Sequence, residues 1–347
     1  MKIALLADQH FSVRKGNKLY FEYYRNFYEN IFFPYLIENN INLVIDLGDT
    51  FDNRKSIDFL SLNQSKKMYF DVLAKNNIFL IMIVGNHTSF YKNTNDLNSP
   101  EVLLSEYKNI KVIKEIEDLK IANLKATFLP WINQENEEKV FEHIKTTDAN
   151  ILFGHLELNG FVAHPGHIYE GGYDKDLFFK YKKVLSGHFH HKSTIGNVTY
   201  LGNPYQLYWN DYKEKRGFHI LDTETLQLEF IENTYTLFEK IYYDDSTTDY
   251  TNFDFSNYKN KFIKVFVQNK NNEYLFDKFL ETFYDIGIHE LKVIEDKKTE
   301  QVDIDINIEG EDTLTTLNSF IDDIEYVDKN SIKNKIKSLY LEALELV

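Results

Sequence analysis

Cysteine is absent from the 347 residues. That excludes a disulfide framework, a thiolate metal site and a cysteine nucleophile. Any metal must be held by His, Asp, Glu or Asn. Long apolar runs are also missing, and none approaches the ~18 residues of a membrane-spanning helix. The apolar start, Met1 to Asp8, is too short for a secretory signal. These absences predict a cytoplasmic chain without membrane association. Arginine is scarce, 4 against 35 lysines. With abundant Asn, Ile, Tyr and Phe, that bias reads as an AT-rich genome. No Gly-x-x-x-x-Gly-Lys-Ser/Thr loop occurs, so ATP dependence would have to come from another chain.

What is present suits a cored protein: 43% hydrophobic and 27% charged residues. At about 100–200 residues per domain, the length predicts two domains. The net charge of −15 argues at first against nucleic acid. Its distribution softens that argument. Residues 241–347 carry 12 Lys against 23 Asp and Glu, whereas residues 1–240 carry 27 Lys and Arg against 31 acids. The acidic excess lies in the C-terminal third, which leaves a DNA-binding N-terminal part open.

The first half alternates short apolar runs with amphipathic ones. Strands are predicted at Lys2–Ala7, Asn42–Leu47 and Ile78–Val84. Helices are predicted at Phe21–Glu38, with a kink or break at Pro34, and at Leu60–Lys75. This βαβαβ order predicts an α/β core with helices on the sheet faces. Further strands are expected at 150–153, 184–186, 198–201, 218–222 and 226–231, the last few paired as antiparallel hairpins. The acidic stretch 243–260 reads as a linker between a domain at 1–242 and a small α/β domain at 261–310. The small domain is expected to hold a strand at 261–267, a helix at 273–286 and strands at 289–294 and 302–308. A helical tail at 311–347 should follow.

Five polar motifs stand at predicted strand ends. They are Asp8-Gln9-His10, Gly48-Asp49-Thr50-Phe51-Asp52-Asn53-Arg54, Gly85-Asn86-His87, Gly154-His155 and Gly187-His188-Phe189-His190. In α/β sheets, functional groups gather where loops leave the carboxyl ends of strands. The donors are oxygen and nitrogen atoms that suit Mn²⁺, Zn²⁺ or Fe²⁺. Asp-x-His and His-x-His spacings put alternate residues on one side of an extended segment. Asp8, His10, Asp49, Asn86, His155, His188 and His190 suffice for two metals if one carboxylate bridges, and Asp49 is the natural bridge.

The motifs resemble those of the calcineurin-like metallophosphoesterases. More narrowly, the chain looks like the SbcD-like nuclease subunit of double-strand-break repair complexes, above all the small subunit of phage recombination nucleases. Gly48 to Lys55, Leu129-Pro130-Trp131, Gly154 to Phe161 and Arg216-Gly217-Phe218 leading into Asp222 to Thr225 carry that likeness. It is strong over residues 1–232 and positional beyond. The resemblance implies a four-layer αββα sandwich with a smaller C-terminal α/β cap domain and a helical tail. It implies one metal on Asp8, His10, Asp49 and His190 and a second on Asp49, Asn86, His155 and His188. Mn²⁺ is the family's usual metal for nuclease activity, with Mg²⁺, Zn²⁺ and Fe²⁺ as alternatives. The implied reaction is two-metal phosphodiester hydrolysis, with His87 as the acid near the scissile phosphate. Two positions depart from the pattern. Asp52 stands where many members have His, and it reads as an acceptor for a ligand histidine. Thr88 stands where an Asp usually orients the catalytic His.

Arg14, Lys15 and Lys18 follow the first motif, and Arg54 and Lys55 lie on the second. A basic lip beside metals fits a DNA backbone. His164 and His167 lie in the loop 163–172, which could shape a substrate cleft, while His191 should point away from the His-x-His pair. The resemblance further implies a homodimer through helix 21–38 or 60–75. It also implies a tail that docks on an SMC-like ATP-binding-cassette ATPase, and the amphipathic segment 331–347 serves that role or caps the chain's own core. The leading expectation is a Mn²⁺-dependent DNA exonuclease/endonuclease subunit for break repair and recombination. A DNA-end-organising subunit with an inert site, and a small-molecule or protein phosphoesterase, compete with it.

Overall fold

The computed structural model describes residues 1–14, 16–164 and 167–295, together with Ile321, Lys329, Ile332, Lys335 and Ile336. Two six-stranded sheets stack face to face. The first runs in the order Leu228–Glu232, Gly217–Asp222, Lys2–Leu6, Leu43–Asp46, Phe79–Ile83, Ile110–Ile113. Its last four strands are parallel, and the Gly217–Asp222 hairpin joins Lys2–Leu6 antiparallel. The second sheet runs Ser193–Ile195, Val198–Tyr200, Lys183–Gly187, Ile151–His155, Leu124–Leu129, Glu117–Ile121. Its four middle strands are parallel and both edges are antiparallel.

Side chains alternate faces along a strand, so each strand feeds two cores. Ile3, Leu5, Ala7, Ile45, Ile81 and Ile83 meet Ala126, Phe128, Ile151, Phe153 and Leu185 between the sheets. Ala4, Leu6, Val44, Leu80 and Met82 face outward onto the aromatic sides of residues 18–38 and 59–75. On the other outer face, Leu152, Val184, Val198 and Tyr200 pack with Val140 and Ile144 of the helix Glu137–Thr146. The result is a four-layer αββα sandwich.

The helix Lys18–Phe27 passes into a π-helical turn, Tyr28–Phe32, then into Phe33–Glu38. The expected break at Pro34 takes this form. Proline has no N–H and its ring crowds the carbonyl four residues back. The wider turn makes room, with Phe33 N–H bonding Tyr28 O. Residues 66–70 form a second π-helical turn, inside the helical run from Phe59 to Lys75.

Three differences from expectation stand out. Strands at Ile110–Ile113, Glu117–Ile121 and Leu124–Leu129, and the helix at 137–146, were not foreseen. Val198–Tyr200 forms a hairpin with Ser193–Ile195 but lies parallel to Lys183–Gly187. Finally, 243–260 is not a solvated linker. Phe238–Asp244, Phe262–Asn269 and Glu290–Ile294 form one parallel three-stranded sheet, covered by the helix Glu273–Asp285. Tyr243 is fully buried in that core, with Tyr250, Phe253, Phe255 and Tyr258 packed beside Phe276, Phe279 and Phe283. The segment is the crossover that a parallel pair requires. Compact units divide at Glu300 and Gln301 rather than at 242. The strand expected at 302–308, and the tail and its helix at 331–347 apart from the five positions named above, lie outside the described residues.

Candidate metal centre

All five motifs leave the sheets at one end, and backbone pairing zips the first two loops together. Asp8 N–H bonds Gly48 O at 3.0 Å, His10 N–H bonds Asp49 O at 2.9 Å and Phe11 N–H bonds Thr50 O at 2.8 Å. Asp8, His10, Asp49 and His188 have φ of 53°, 46°, 52° and 95°. Left-handed backbone at non-glycine residues costs ~1–3 kcal/mol each and gathers at functional sites. Gly48, at φ 103°, has no room for a side chain, because a Cβ there would strike the His155 imidazole. A Cβ on Gly85 would strike the Asp49 carboxylate.

The candidate ligands fall into two separate sets, and a third group, His10, Asp52 and His87, overlaps the first through His10. Asp8, His10 and His190 offer donor atoms within 4.8 Å of one another, and so do Asp49, His155 and His188. His155 Nδ1 donates to Leu47 O at 2.7 Å. Its Nε2 then faces Asn86 Oδ1 at 2.9 Å and Asp49 Oδ2 at 3.1 Å. His188 Nδ1 lies 3.1 Å from the same Asn86 oxygen. His190 Nε2 and His10 Nε2 meet at 3.0 Å, and His10 Nδ1 is held by Asp52 Oδ1 at 3.1 Å. With the Nδ1 atoms of His155 and His10 committed, their Nε2 atoms are the ones turned to the other donors, where each holds either a proton or a metal. Converging acceptors require a proton or a cation among them. The donor set therefore fits divalent metal.

The electrostatics agree. Asp8, His10, Asp49 and His155 are at most 1% exposed. Burial disfavours charge on His155, but Asp49 and Asp8 outweigh it and push its pKa up to about 9. Burial works equally against a charged Asp49, yet His155, His87 and His10 hold it well below the usual carboxylate range. Negative and positive partners are thus mutually dependent in a dry site.

His87 has an anchor that the sequence pattern did not reveal. Its Nδ1 bonds the backbone carbonyl of Asp52 at 2.6 Å, and its N–H bonds Asp49 Oδ1 at 2.9 Å. Thr88 instead closes the Gly85 turn, accepting from Gly85 N–H at 2.8 Å. Asp46 is a second unforeseen member. It accepts from Gln9 at 2.7 Å, Thr50 at 2.6 Å and Gly48 N–H at 3.1 Å, tying the first two motifs from below. Burial pushes its pKa to about 7. Arg216 is the third. It donates to the His190 carbonyl and to Asn203, and pairs with Asp211 at 2.7 Å and Glu214 at 2.8 Å. Asp46 closes an ordinary apolar strand, so no local pattern marks it, and nothing in the first motif distinguishes Gln9 as its partner.

The basic residues are less uniform. Arg14 is exposed, with its guanidinium 5.7 Å from the Tyr208 ring, which stacks at 6.5 Å on His190. Lys18 and Lys55 are exposed, while Arg54 is half-buried and its Nη1 finds no hydrogen-bond partner among the described residues. Lys15 and the side chains of His164 and His167 lie outside the described residues. His191 turns away from the site to Glu214 at 2.6 Å.

The calcineurin-like phosphoesterase family matches residues 1–192. "Exonuclease subunit 1" of Enterobacteria phage T4 is 32% identical over 354 residues, spanning 99% of this chain and 100% of that protein. The SbcD subunit of the nuclease SbcCD from Staphylococcus epidermidis is 23% identical, over 66% of this chain and 67% of that protein. Among solved structures, an archaeal phosphodiesterase aligns with a TM-score of 0.35 at 16% identity, over 67% of this chain and all of its own. A dimetal phosphatase from Danio rerio aligns with a TM-score of 0.40 at 10% identity, over 63% and 91%. No helix among the described residues is long and apolar enough to cross a membrane.

Proposed function

This chain belongs to the calcineurin-like phosphoesterase family, and from that premise we propose that it is a DNA exonuclease/endonuclease subunit of phage recombination and repair. The observation that carries the reading is the paired donor set. Asp8, His10 and His190 converge on one side, Asp49, His155 and His188 on the other, with the Asn86 oxygen between two of the histidines. Asp49 is assigned as the shared carboxylate. Two divalent cations, Mn²⁺ in preference to Mg²⁺, Zn²⁺ or Fe²⁺, would supply a nucleophilic hydroxide at neutral pH and offset phosphate charge.

The chain's own residues do the rest. Asp52 and Leu47 O fix the histidine tautomers so that Nε2 faces inward. His87, with Nδ1 committed to Asp52 O, gives a proton to the leaving oxygen through Nε2. Arg14, Lys15, Lys18, Arg54 and Lys55 would receive the DNA backbone. The names of the two relatives, each a subunit, support work with a second chain, which we assign to an SMC-like ATP-binding-cassette ATPase. A homodimer in the host cytoplasm completes the reading.

The test is cleavage of end-labelled linear double-stranded DNA in Mn²⁺, Mg²⁺ and EDTA, with His87→Ala and Asp49→Ala beside wild type. Mn²⁺-dependent shortening lost in both variants is expected. Intact DNA with hydrolysis of a small phosphodiester would overturn the DNA reading. Failure of both substrates would leave an end-organising subunit.

A further inference from the structure

The segment 202–216 touches the candidate metal centre on one side and the three-stranded sheet on the other. On the metal side it grips the backbone of His190. The His190 carbonyl accepts from Arg216 and from Asn203 N–H at 3.3 Å. Gly202, at φ 71°, lies so close that a Cβ there would strike the same carbonyl. Arg216 is fixed in turn by Asp211 at 2.7 Å. The other Asp211 oxygen accepts from Leu207 N–H at 2.6 Å and Tyr208 N–H at 3.1 Å, and the Tyr208 ring lies parallel to His190. Gln206 continues the chain of bonds outward. Its Nε2 donates to Asp211 O at 3.2 Å, and its Oε1 accepts from Leu237 N–H at 2.7 Å and Phe238 N–H at 3.0 Å. Phe238 opens the first strand of the three-stranded sheet. Its ring stands 4.8 Å from Trp209, and Lys264 of the same sheet places its Nζ 4.3 Å from that indole.

Gln206, Asp211 and Arg216 are 2%, 2% and 4% exposed. Water cannot replace a lost partner there, and a buried polar group without one is costly. Lifting Leu237 and Phe238 away would orphan the Gln206 carboxamide oxygen. Turning Gln206 to satisfy it would release Asp211 and, through Arg216, the backbone of His190. A buried network of this kind holds or gives way as a unit. We infer that Gln206 is a positioning residue for the candidate ligand His190, transmitting the seating of the three-stranded sheet to the metal set formed by Asp8, His10 and His190. The inference rests on the metal-dependent reading above and extends it. A sheet whose seating raises metal affinity is itself held more firmly once metal is bound, by the same factor.

Hydrogen exchange of the peptide containing Leu237 and Phe238, read by mass spectrometry with and without Mn²⁺, measures that factor. In wild type, Mn²⁺ should slow these two amides about 5-fold or more relative to those of the helix Glu273–Asp285. The helix serves as reference because bound metal also stabilises the whole chain. Gln206→Met keeps a side chain of similar length but neither bond. It should remove the differential slowing and weaken Mn²⁺ binding at the His190 set by the same factor. The set formed by Asp49, His155 and His188 should stay within about twofold in calorimetric titration. Mn²⁺ that binds wild type without slowing the two amides beyond the helix overturns the inference and leaves the nuclease reading standing. Slowing that persists in Gln206→Met overturns it as well, as does a variant that loses stability while both Mn²⁺ affinities hold. If Gln206→Met does not fold, the wild-type exchange decides alone. Wild type that binds no Mn²⁺ removes the metal-dependent reading, and this inference with it.

Discussion

Asp52→Ala removes the side-chain hydrogen bond from Asp52 to a candidate ligand. Asp52 Oδ1 lies 3.1 Å from His10 Nδ1, and His10 is 1% exposed. A bare Coulomb figure for two full charges at that distance is ~5 kcal/mol at an effective dielectric of 20. That overstates the case, because a ligating imidazole is neutral. The relevant quantity is a hydrogen bond to a charged acceptor, ~1.5–3 kcal/mol. Loss of such a partner usually lowers metal affinity by about 10- to 100-fold, which is ~1.4–2.8 kcal/mol. The two routes agree. Asp52→Ala should therefore weaken Mn²⁺ binding by that factor at the set formed by Asp8, His10 and His190, and leave the other set within about twofold. Asp52→Asn keeps an acceptor without the charge, so its loss should fall between wild type and Ala. Calorimetric titration of Mn²⁺ into EDTA-stripped protein measures both affinities. Unchanged affinity at both sets in Asp52→Ala, with the thermal midpoint of the stripped protein also unchanged, would refute the assigned role.

Gly48→Ala should destabilise the metal-free protein by more than ~1 kcal/mol in urea, since the backbone penalty adds to contact with His155; an unchanged midpoint would contradict the packing. Arg216→Met should cost ~3–5 kcal/mol by leaving the buried Asp211 carboxylate without its guanidinium, and Arg216→Lys should not restore it, because a lysine cannot reach Asp211, Asn203 and the His190 carbonyl together. His219 is 3% exposed, and burial, with Lys192 adding, depresses its pKa to about 3. The unfolded chain takes up that proton below ~6.5 while the folded chain resists it, so stability from this group is complete above pH 6.5 and falls towards pH 3. About 2 kcal/mol should be lost by pH 5, and His219→Phe should remove that part of the slope between pH 7 and 5 in urea melts.

The motifs were legible because each obeys a local rule: an apolar strand, a small or polar turn residue, then a donor. Sheet order and anchoring obey no such rule. Glu117–Ile121 and Leu124–Leu129 carry Glu117, Asp118, Lys120 and Lys125 among their apolar residues, and only the partner strand shows which side is buried. His87 illustrates the same limit at the site. Its anchor is a backbone carbonyl 35 positions away, which residue identity cannot announce.

The segment 243–260 is the instructive failure. Asp244, Asp245, Asp249 and Asp254 gave it the composition of a solvated linker. In the structure those carboxylates sit at bends and accept from backbone N–H groups: Asp244 from Ser246 at 3.0 Å, Asp249 from Thr251 at 2.9 Å, Asp254 from Ser256 at 2.9 Å and Asp245 from Asn271 at 2.8 Å. The bonds to Ser246, Thr251 and Ser256 span two residues, the local pattern through which aspartate favours turns, whereas Asp245 reaches across to Asn271. Between the bends, Tyr250, Phe253, Phe255 and Tyr258 turn inward onto the helix Glu273–Asp285. Acidic residues here mark where the chain turns, and the aromatic residues between them mark where it is buried. Average polarity erased that distinction, whereas the spacing of aromatics between aspartates preserved it. A polar stretch with an aromatic residue every two or three positions is better read as a packed crossover than as a linker, since a solvated chain gains nothing from exposing that much apolar ring surface.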